Sequence, residues 1–339
     1  MGIMKRSDLV YSYPESLIAT SPSRPTRVMW VDLANQQPLE LTIPQVLEKI
    51  PAGDVFVINN TKVLKRRVFA ENEIEVLFLD QLSDDADNNT WSVLFPSKKM
   101  NVGASLKLPN GFTMTLVEKG RPQKVVVTPR ITQTDFDHIA ELPLPPYIQK
   151  ARGDRHNVAT DESWYQTAWA QNAGSFAAPT ASLHFSVDDI SKLKQKGVHV
   201  IELTLHVGLG TFLPVLTEDL DDHTMHEEIY AISEESWNTI AKAKKENRGV
   251  WSLGTTSTRV LESVARTGVL SGSTGILLQQ GSEFKVVNRL LTNFHQPEST
   301  LLALVAGFAG LERVKACYAW AVERKFKLFS YGDLSVWIK

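Results

Sequence analysis

Partway along this chain the spacing of its apolar residues changes period, and that change constrains the fold more than any other feature. Between about residues 62 and 140 the runs EIEVLFL, WSVLF, ASLKL, FTMTLV and KVVVT are short, with turn signals such as DDADNN and PNG between them. That is the pattern of a small all-β unit. From residue 174 onward SVDDISKLKQKG, SEESWNTIAKAKKENRG, TRVLESVARTG, STLLALVAGFAG and ERVKACYAWAVERKF carry helical spacing. Between them lie VHVIELTLHV, GVWSLGTT, STGILLQ and LLTNF, β-rich runs of strand length. VFVINN forms a strand-like run before NNTKV at 59–63, and LPLPPY at 142–147 reads as a rigid crossing. The expected architecture is an α/β main domain of alternating strands and helices, residues 1–61 and 142–339, interrupted by an inserted all-β barrel-like domain, residues 62–141. A length of 339 residues, more than one hydrophobic core usually holds, agrees with two domains or one domain with a large insertion.

Composition removes several function classes. With 43% apolar and 22% charged residues, the chain has neither the signature of disorder nor that of a fibre. Its longest apolar run, Leu301 to Leu311, is too short to span a bilayer and lies between Glu298 and Glu312. Lys5, Arg6 and Asp8 are followed by polar residues and proline rather than by the apolar core of a signal peptide, so a cytoplasmic location is expected. One cysteine, Cys317, excludes an intrachain disulfide and any cysteine-held zinc or iron–sulfur cluster from this chain alone. Radical chemistry on such a cluster goes with it. A net charge of −2 lacks the basic excess of nucleic-acid binders, so RNA contact has to be local. The densest cation group is Lys62, Lys65, Arg66 and Arg67; its alternative is a solvated face.

Four segments place a strand-like run before a loop of small polar residues near a helix: GSFAAPTASLHF, TLHVGLGTFLPV, GTTSTRVLES and TNFHQPESTLL. Loops at the carboxyl ends of strands are where ligands gather in α/β folds, so one composite pocket is expected. GTTSTR opens a helix with exposed amides and puts Arg259 in its first turn, a place for a carboxylate or phosphate or, alternatively, ordinary capping. Gly208 and Gly210 allow close backbone approach, but Leu213 stands where a dinucleotide fingerprint needs glycine. No phosphate-binding GxxxxGK[ST] loop and no GxSxG elbow occur. In DLDDHTMHEE, His223 and His226 could ligate a metal, sit in a solvated acidic loop, or let His226 move protons beside Glu228. His184 and His295 lie in apolar surroundings, where a hydrogen-bonded structural histidine is the common case.

GSFAAPTASLHF, LTLHVGLGTFLPV, HTMHEEIYAI, GTTSTRVLES, FKVVNRLLTNFHQPESTLL and FSYGD, in that order, resemble the signature stretches of the S-adenosylmethionine:tRNA ribosyltransferase-isomerase family. NNTKV, WSVLFPSKKMNVG, LPLPPYI and WYQTAWA are similar to its earlier blocks, so the resemblance spans nearly the whole chain. SPSRPTRV is shorter than the corresponding family stretch, although Arg27 keeps one arginine, and Trp164, Gln280 and Gln296 replace other family residues.

The resemblance implies transfer of the ribosyl part of S-adenosylmethionine to 7-aminomethyl-7-deazaguanine at the tRNA wobble position. Epoxyqueuosine forms, and adenine and methionine leave. The donor is then a substrate, and neither a prosthetic group nor a metal nor a membrane partner is expected. Its sulfonium acidifies the adjacent 5′-carbon, so the reaction calls for a base, a grip on carboxylate and adenine, and a path for the amine. His226, Glu228 and His184 are the expected proton-transfer residues. Thr180, His206, Gly208, Gly210, Thr211, Phe212, Thr255, Thr256, Ser257, Arg259, Asn293, His295, Ser299 and Thr300 are expected to bind substrate, and Lys62, Lys65, Arg66 and Arg67 the tRNA. Rival readings are a tRNA-binding protein without turnover and a hydrolase that uses GTTSTR as an anion site.

Overall fold

The structure, a computed structural model, describes residues 4–35, 37–85, 88–208, 210 and 215–339. Its strands are β1 (Arg27–Asp32), β2 (Leu39–Thr42), β3 (Val55–Asn59), β4 (Thr61–Val63), β5 (Arg67–Ala70), β6 (Ile74–Asp85), β7 (Asn88–Leu94), β8 (Ser105–Lys107), β9 (Thr113–Glu118) and β10 (Gln123–Thr128). They continue with β11 (Asn172–Ser175), β12 (His199–Leu205), β13 (Glu228–Ala231), β14 (Val250–Leu253), β15 (Ser271–Thr274), β16 (Arg289–Asn293) and β17 (Leu334–Ile338). The helices are α1 (Ile43–Lys49), α2 (Gln133–Ile139), α3 (Pro146–Arg152), α4 (Asp161–Trp164), α5 (Val187–Gln195), α6 (Glu234–Lys245), α7 (Thr255–Thr267), α8 (Thr300–Ala309) and α9 (Leu311–Glu323). By compactness the chain divides into a main unit, residues 1–63, 145–154 and 162–339, and a second unit, residues 64–144 and 155–161.

The main unit is built on a nine-stranded mixed sheet in the order β15-β13-β12-β3-β14-β16-β17-β1-β2. Its centre, β12-β3-β14-β16, is parallel, while β13 pairs antiparallel with both β12 and β15, and β17 pairs antiparallel with β16. β3 reads VFVIN and is buried throughout, as expected of a parallel strand covered on both faces. Its side chains alternate between two cores. Val55 and Val57 join the cluster that holds α6 to α9, whereas Phe56 and Ile58 join the cluster under α1 and α5. STGILLQ, expected to be one strand, ends its pairing at Thr274. The rest of that run turns its polar backbone to other uses, with the Ile276 carbonyl accepting from Arg259 at 3.3 Å.

The second unit is a six-stranded antiparallel sheet in the order β5-β6-β7-β10-β9-β8, each neighbouring pair antiparallel. Phe78, Trp91 and Phe136 pack edge to face in its core, closed at one side by α2. Thr132 caps α2 by a reciprocal pair of bonds with Asp135. Among the described residues no helix is long and apolar enough to cross a membrane.

Candidate active site

Because β12, β3, β14 and β16 run parallel, their carboxyl ends share one edge of the main sheet, and the loops leaving that edge carry the polar residues singled out above. Asn59, fully buried at the end of β3, organises the edge. Its Oδ1 accepts from the backbone N–H of Leu205 and of Thr61, both at 3.1 Å. Its Nδ2 donates to the Leu205 carbonyl at 3.0 Å and to Thr256 Oγ1 at 3.4 Å. Asn60 does similar work one residue on, accepting from Thr204 Oγ1 at 2.7 Å. One residue past β12, His206 Nδ1 lies 2.9 Å from Thr61 Oγ1. Gly174 makes room for that ring, since a Cβ there would sit 2.8 Å from Cε1 and Nδ1. Burial pulls the His206 pKa below its ordinary value.

A second chain of hydrogen bonds crosses the same edge. Thr180 Oγ1 donates to Asn293 Oδ1 at 2.8 Å, and Asn293 Nδ2 reaches His184 Nε2 at 3.1 Å. His184 Nδ1 lies 3.1 Å from Thr26 Oγ1, which in turn donates to the Ser23 carbonyl at 3.0 Å. With both ring nitrogens engaged, the network assigns His184 as the neutral Nδ1–H tautomer. Burial, then the nearby Arg24, push its pKa down to about 3. His295, also buried, has Nε2 2.8 Å from Thr292 Oγ1, and burial pushes it to about 3 as well. Both histidines are therefore neutral and internal, and His184 positions Asn293.

At the start of α7, Gly254 occupies the cap position and no side chain caps the helix. The first-turn amides of Thr255, Thr256 and Ser257 thus face the strand edge, with the positive end of the helix dipole behind them. The hydroxyls are used differently: Ser257 Oγ donates back to the Leu253 carbonyl at 3.0 Å. Arg259 points inward. Its guanidinium pairs with Glu228 and donates to the carbonyls of Ile276 and Thr274 at 3.3 and 3.2 Å. The other Glu228 oxygen accepts from the Gly208 N–H at 2.8 Å. Arg259, expected as an anion ligand, and Glu228, expected as partner of His226, here bond to each other inside the core. His226 itself is exposed and lies against Gly210, where a Cβ would come 2.7 Å from its Cδ2. Ser299 is the cap of α8, with Leu302 N–H donating to it at 3.2 Å, and Thr300 is the first residue of that helix. Thr211 and Phe212 lie outside the described residues.

The tRNA candidates part company. Lys62 is exposed on β4, whereas Lys65 Nζ donates to the Asp137 carbonyl at 3.3 Å. Arg66 rests on the rings of Trp91 and Phe136, 5.0 and 4.4 Å from their centroids, and burial pulls its pKa down to about 10. Arg67, in contrast to its expected surface role, is buried against Glu141 at 2.6 Å. Arg27 is likewise spoken for, by Glu40 at 2.7 Å.

Asn59, Asn60 and Thr61 were not among the expected site residues, although NNT directly after a buried strand is a readable signal. Asp333 of FSYGD was missed as well. It accepts from the N–H groups of Arg27 and Lys327 at 2.9 and 2.7 Å and so fixes the loop carrying Ser330.

The main unit is an α/β domain, and convergent polar loops at the carboxyl ends of its parallel strands make that edge the candidate ligand site. The profile of the family described as queuosine biosynthesis protein matches residues 6–337. The chain is 36% identical to the S-adenosylmethionine:tRNA ribosyltransferase-isomerase of Sulfurihydrogenibium sp., over 97% of this chain and 98% of that one. It is 39% identical, with the same coverage, to the S-adenosylmethionine:tRNA ribosyltransferase-isomerase of Staphylococcus epidermidis. A crystal structure of the S-adenosylmethionine tRNA ribosyltransferase of Thermotoga maritima matches with a TM-score of 0.56 and 27% identity, over 98% of this chain and all of that one. The chain belongs to the S-adenosylmethionine:tRNA ribosyltransferase-isomerase family of queuosine biosynthesis proteins.

Proposed function

We propose that this chain transfers and isomerises the ribosyl moiety of S-adenosylmethionine onto 7-aminomethyl-7-deazaguanine at the tRNA wobble position, giving epoxyqueuosine with release of adenine and methionine. The observation that carries the reading is that polar residues of several family stretches are bonded together at the carboxyl ends of the parallel strands, Asn59 to Thr256 and Thr180 to Asn293. The uncapped start of α7 suits the methionine carboxylate, because backbone amides and the helix dipole both favour an anion there. Thr180 and Asn293 offer a fixed polar wall, and a half-buried edge strengthens every electrostatic contact made inside it. The positive sulfur renders the adjacent C5′–H acidic, so the first step asks of the protein only a placed base and the exclusion of water. In this reading His184 holds Asn293, Glu228 holds Arg259, and His226 borders the loop at Gly210.

We read the six-stranded unit as an inserted domain whose local cations, Lys65 and Arg66 among them, help to hold tRNA, and the location as cytoplasmic. The test is release of adenine and methionine from S-adenosylmethionine in the presence of tRNA bearing the precursor base. Release that depends on that base supports the reading; none with either precursor-bearing or ordinary tRNA overturns it.

A further inference from the structure

Among the histidines at the sheet edge, His206 differs in what its ring has left over. His184 has both nitrogens engaged and His295 is buried with Nε2 on Thr292, whereas His206 is half-buried and its Nε2 has no hydrogen-bond partner among the described residues. The other nitrogen is fixed. Nδ1 lies 2.9 Å from Thr61 Oγ1, whose own hydrogen can go to the Asn172 carbonyl, 3.4 Å away. A hydroxyl has one proton to give, so this bookkeeping assigns the neutral ring its lone pair on Nε2. Gly174 sits flush against the ring and limits its rotation.

Position follows from the same rigid element. The single side chain of Asn59 is bonded to Leu205, the residue before His206, to Thr61, the partner of His206, and to Thr256 in the first turn of α7. His206 and the anion-binding start of α7 are thus held beside each other by one buried amide. A donor gripped at α7 by its carboxylate extends its methionine chain away from that grip, with the sulfonium at the far end.

We propose that His206 Nε2 is the base that removes the C5′ proton of the sulfonium donor, an inference that rests on the function proposed above. The C5′–H bond breaks, its proton passes to Nε2, and the electron pair stays on C5′ beside the positive sulfur. The imidazolium that forms keeps its Nδ1–H on Thr61. His206 is suited to this because it is neutral before the step: burial alone lowers its pKa, leaving the lone pair available at neutral pH.

The experiment is single-turnover adenine release with precursor-bearing tRNA, alongside donor affinity, for the wild type, His206→Ala and His206→Gln. Glutamine keeps a donor for Thr61 without a basic nitrogen. The expected result is a rate loss of about 10²- to 10⁴-fold in both variants with donor affinity retained, and partial recovery of His206→Ala by added imidazole. A glutamine variant that turns over at the wild-type rate overturns the assignment. So does an alanine variant whose loss is matched by weakened donor binding and is indifferent to imidazole. A wild type that releases no adenine would instead sink the function on which the assignment rests.

Discussion

Arg259 in the main unit and Arg67 in the six-stranded unit are both buried arginines facing a glutamate, and the sequence offered both as cations for a ligand. They differ in how far their neighbours satisfy them. Every nitrogen of the Arg259 guanidinium has an acceptor: Nε on Ile276, Nη1 on Glu228, Nη2 on Thr274. Arg67 spends only Nη2, on Glu141 and Asn157, while its Nε and Nη1 are buried without a partner among the described residues. Glu228 is 4% exposed and Glu141 25%, so solvent screens the second pair and hardly the first. A closed guanidinium of the first kind is a fixture of the core. One with orphaned donors carries a desolvation cost, offset in part by the ring of Phe69 at 5.2 Å.

The largest expected effect tests the closed pair. Arg259→Ala leaves the Glu228 carboxylate buried beside Gly208 without its cation, which should cost about 3–5 kcal/mol of stability in a denaturant titration. Glu228→Gln should cost less, since an amide oxygen still accepts from Gly208. A loss under about 1 kcal/mol in Arg259→Ala would erase the contrast with Arg67.

Acid separates the two units next. His184 and His295 have folded pKa values near 3 against 6.5 in the unfolded chain, so below pH 6.5 the unfolded state binds more protons. Their contribution is complete above pH 6.5 and is lost as pH falls toward 3, by about 1.4 kcal/mol per pH unit for each. At pH 5, His184→Gln should recover about 2 kcal/mol of that loss. His156, in the six-stranded unit, has the opposite sign: Glu141 and Glu73 raise its pKa, so its support is full below pH 6.5 and fades as pH rises through the raised value. Amide exchange across pH 5 to 8 should show the main unit loosening in acid while the strands around His156 tighten. The same slope in both units would break the comparison.

A smaller effect is expected at Arg67. Arg67→Ala should cost about 1–2 kcal/mol, because Glu141 keeps His156 and the Asn157 N–H. Removing Arg67 should leave the salt dependence of tRNA binding as it was, whereas Lys62→Ala, at an exposed cation, should reduce the slope by about one phosphate contact. A shallower slope in Arg67→Ala would return it to the tRNA surface.

How much of this was legible in the sequence depends on the range of the interaction. The change of apolar period registers local burial, so β3, β12, β14 and the helices α5 to α9 could be read directly. The four loops could be read as a set because strand ends are local features too. What pairs with what could not. Glu228 and Arg259 are 31 residues apart, and Asn59 and Thr256 are 197 apart, so neither contact leaves a mark on local spacing. Closeness in sequence joined Glu228 to His226, but the strand starts only at Glu228, so the alternation of a strand does not extend to His226. Basic residues in a row suggested a surface, yet Arg67 is buried at the start of β5 because Glu141 and Asn157, far along the chain, cover it.

The smallest expected effect concerns Thr61 and His206 at the sheet edge of the main unit. Thr61 is fully buried, and in the proposed assignment its hydroxyl, 2.9 Å from Nδ1, sets which nitrogen of His206 carries the proton. In Thr61→Val the shape is kept and the hydroxyl is lost, so Nδ1 has no acceptor and the lone pair is free to sit on either nitrogen. The cost of losing one such hydrogen bond, about 1 kcal/mol, corresponds to a fall in single-turnover rate of about fivefold to tenfold. Donor affinity should hold, because Asn59 still binds Thr256 and the amides of α7 are untouched. Thr61→Ser keeps the hydroxyl and should keep the rate, which separates loss of the bond from loss of the methyl group. A valine variant as fast as the wild type would mean that Thr61 does not set the tautomer. The assignment of the lone pair to Nε2 of His206 would then fail at the residue on which it was built.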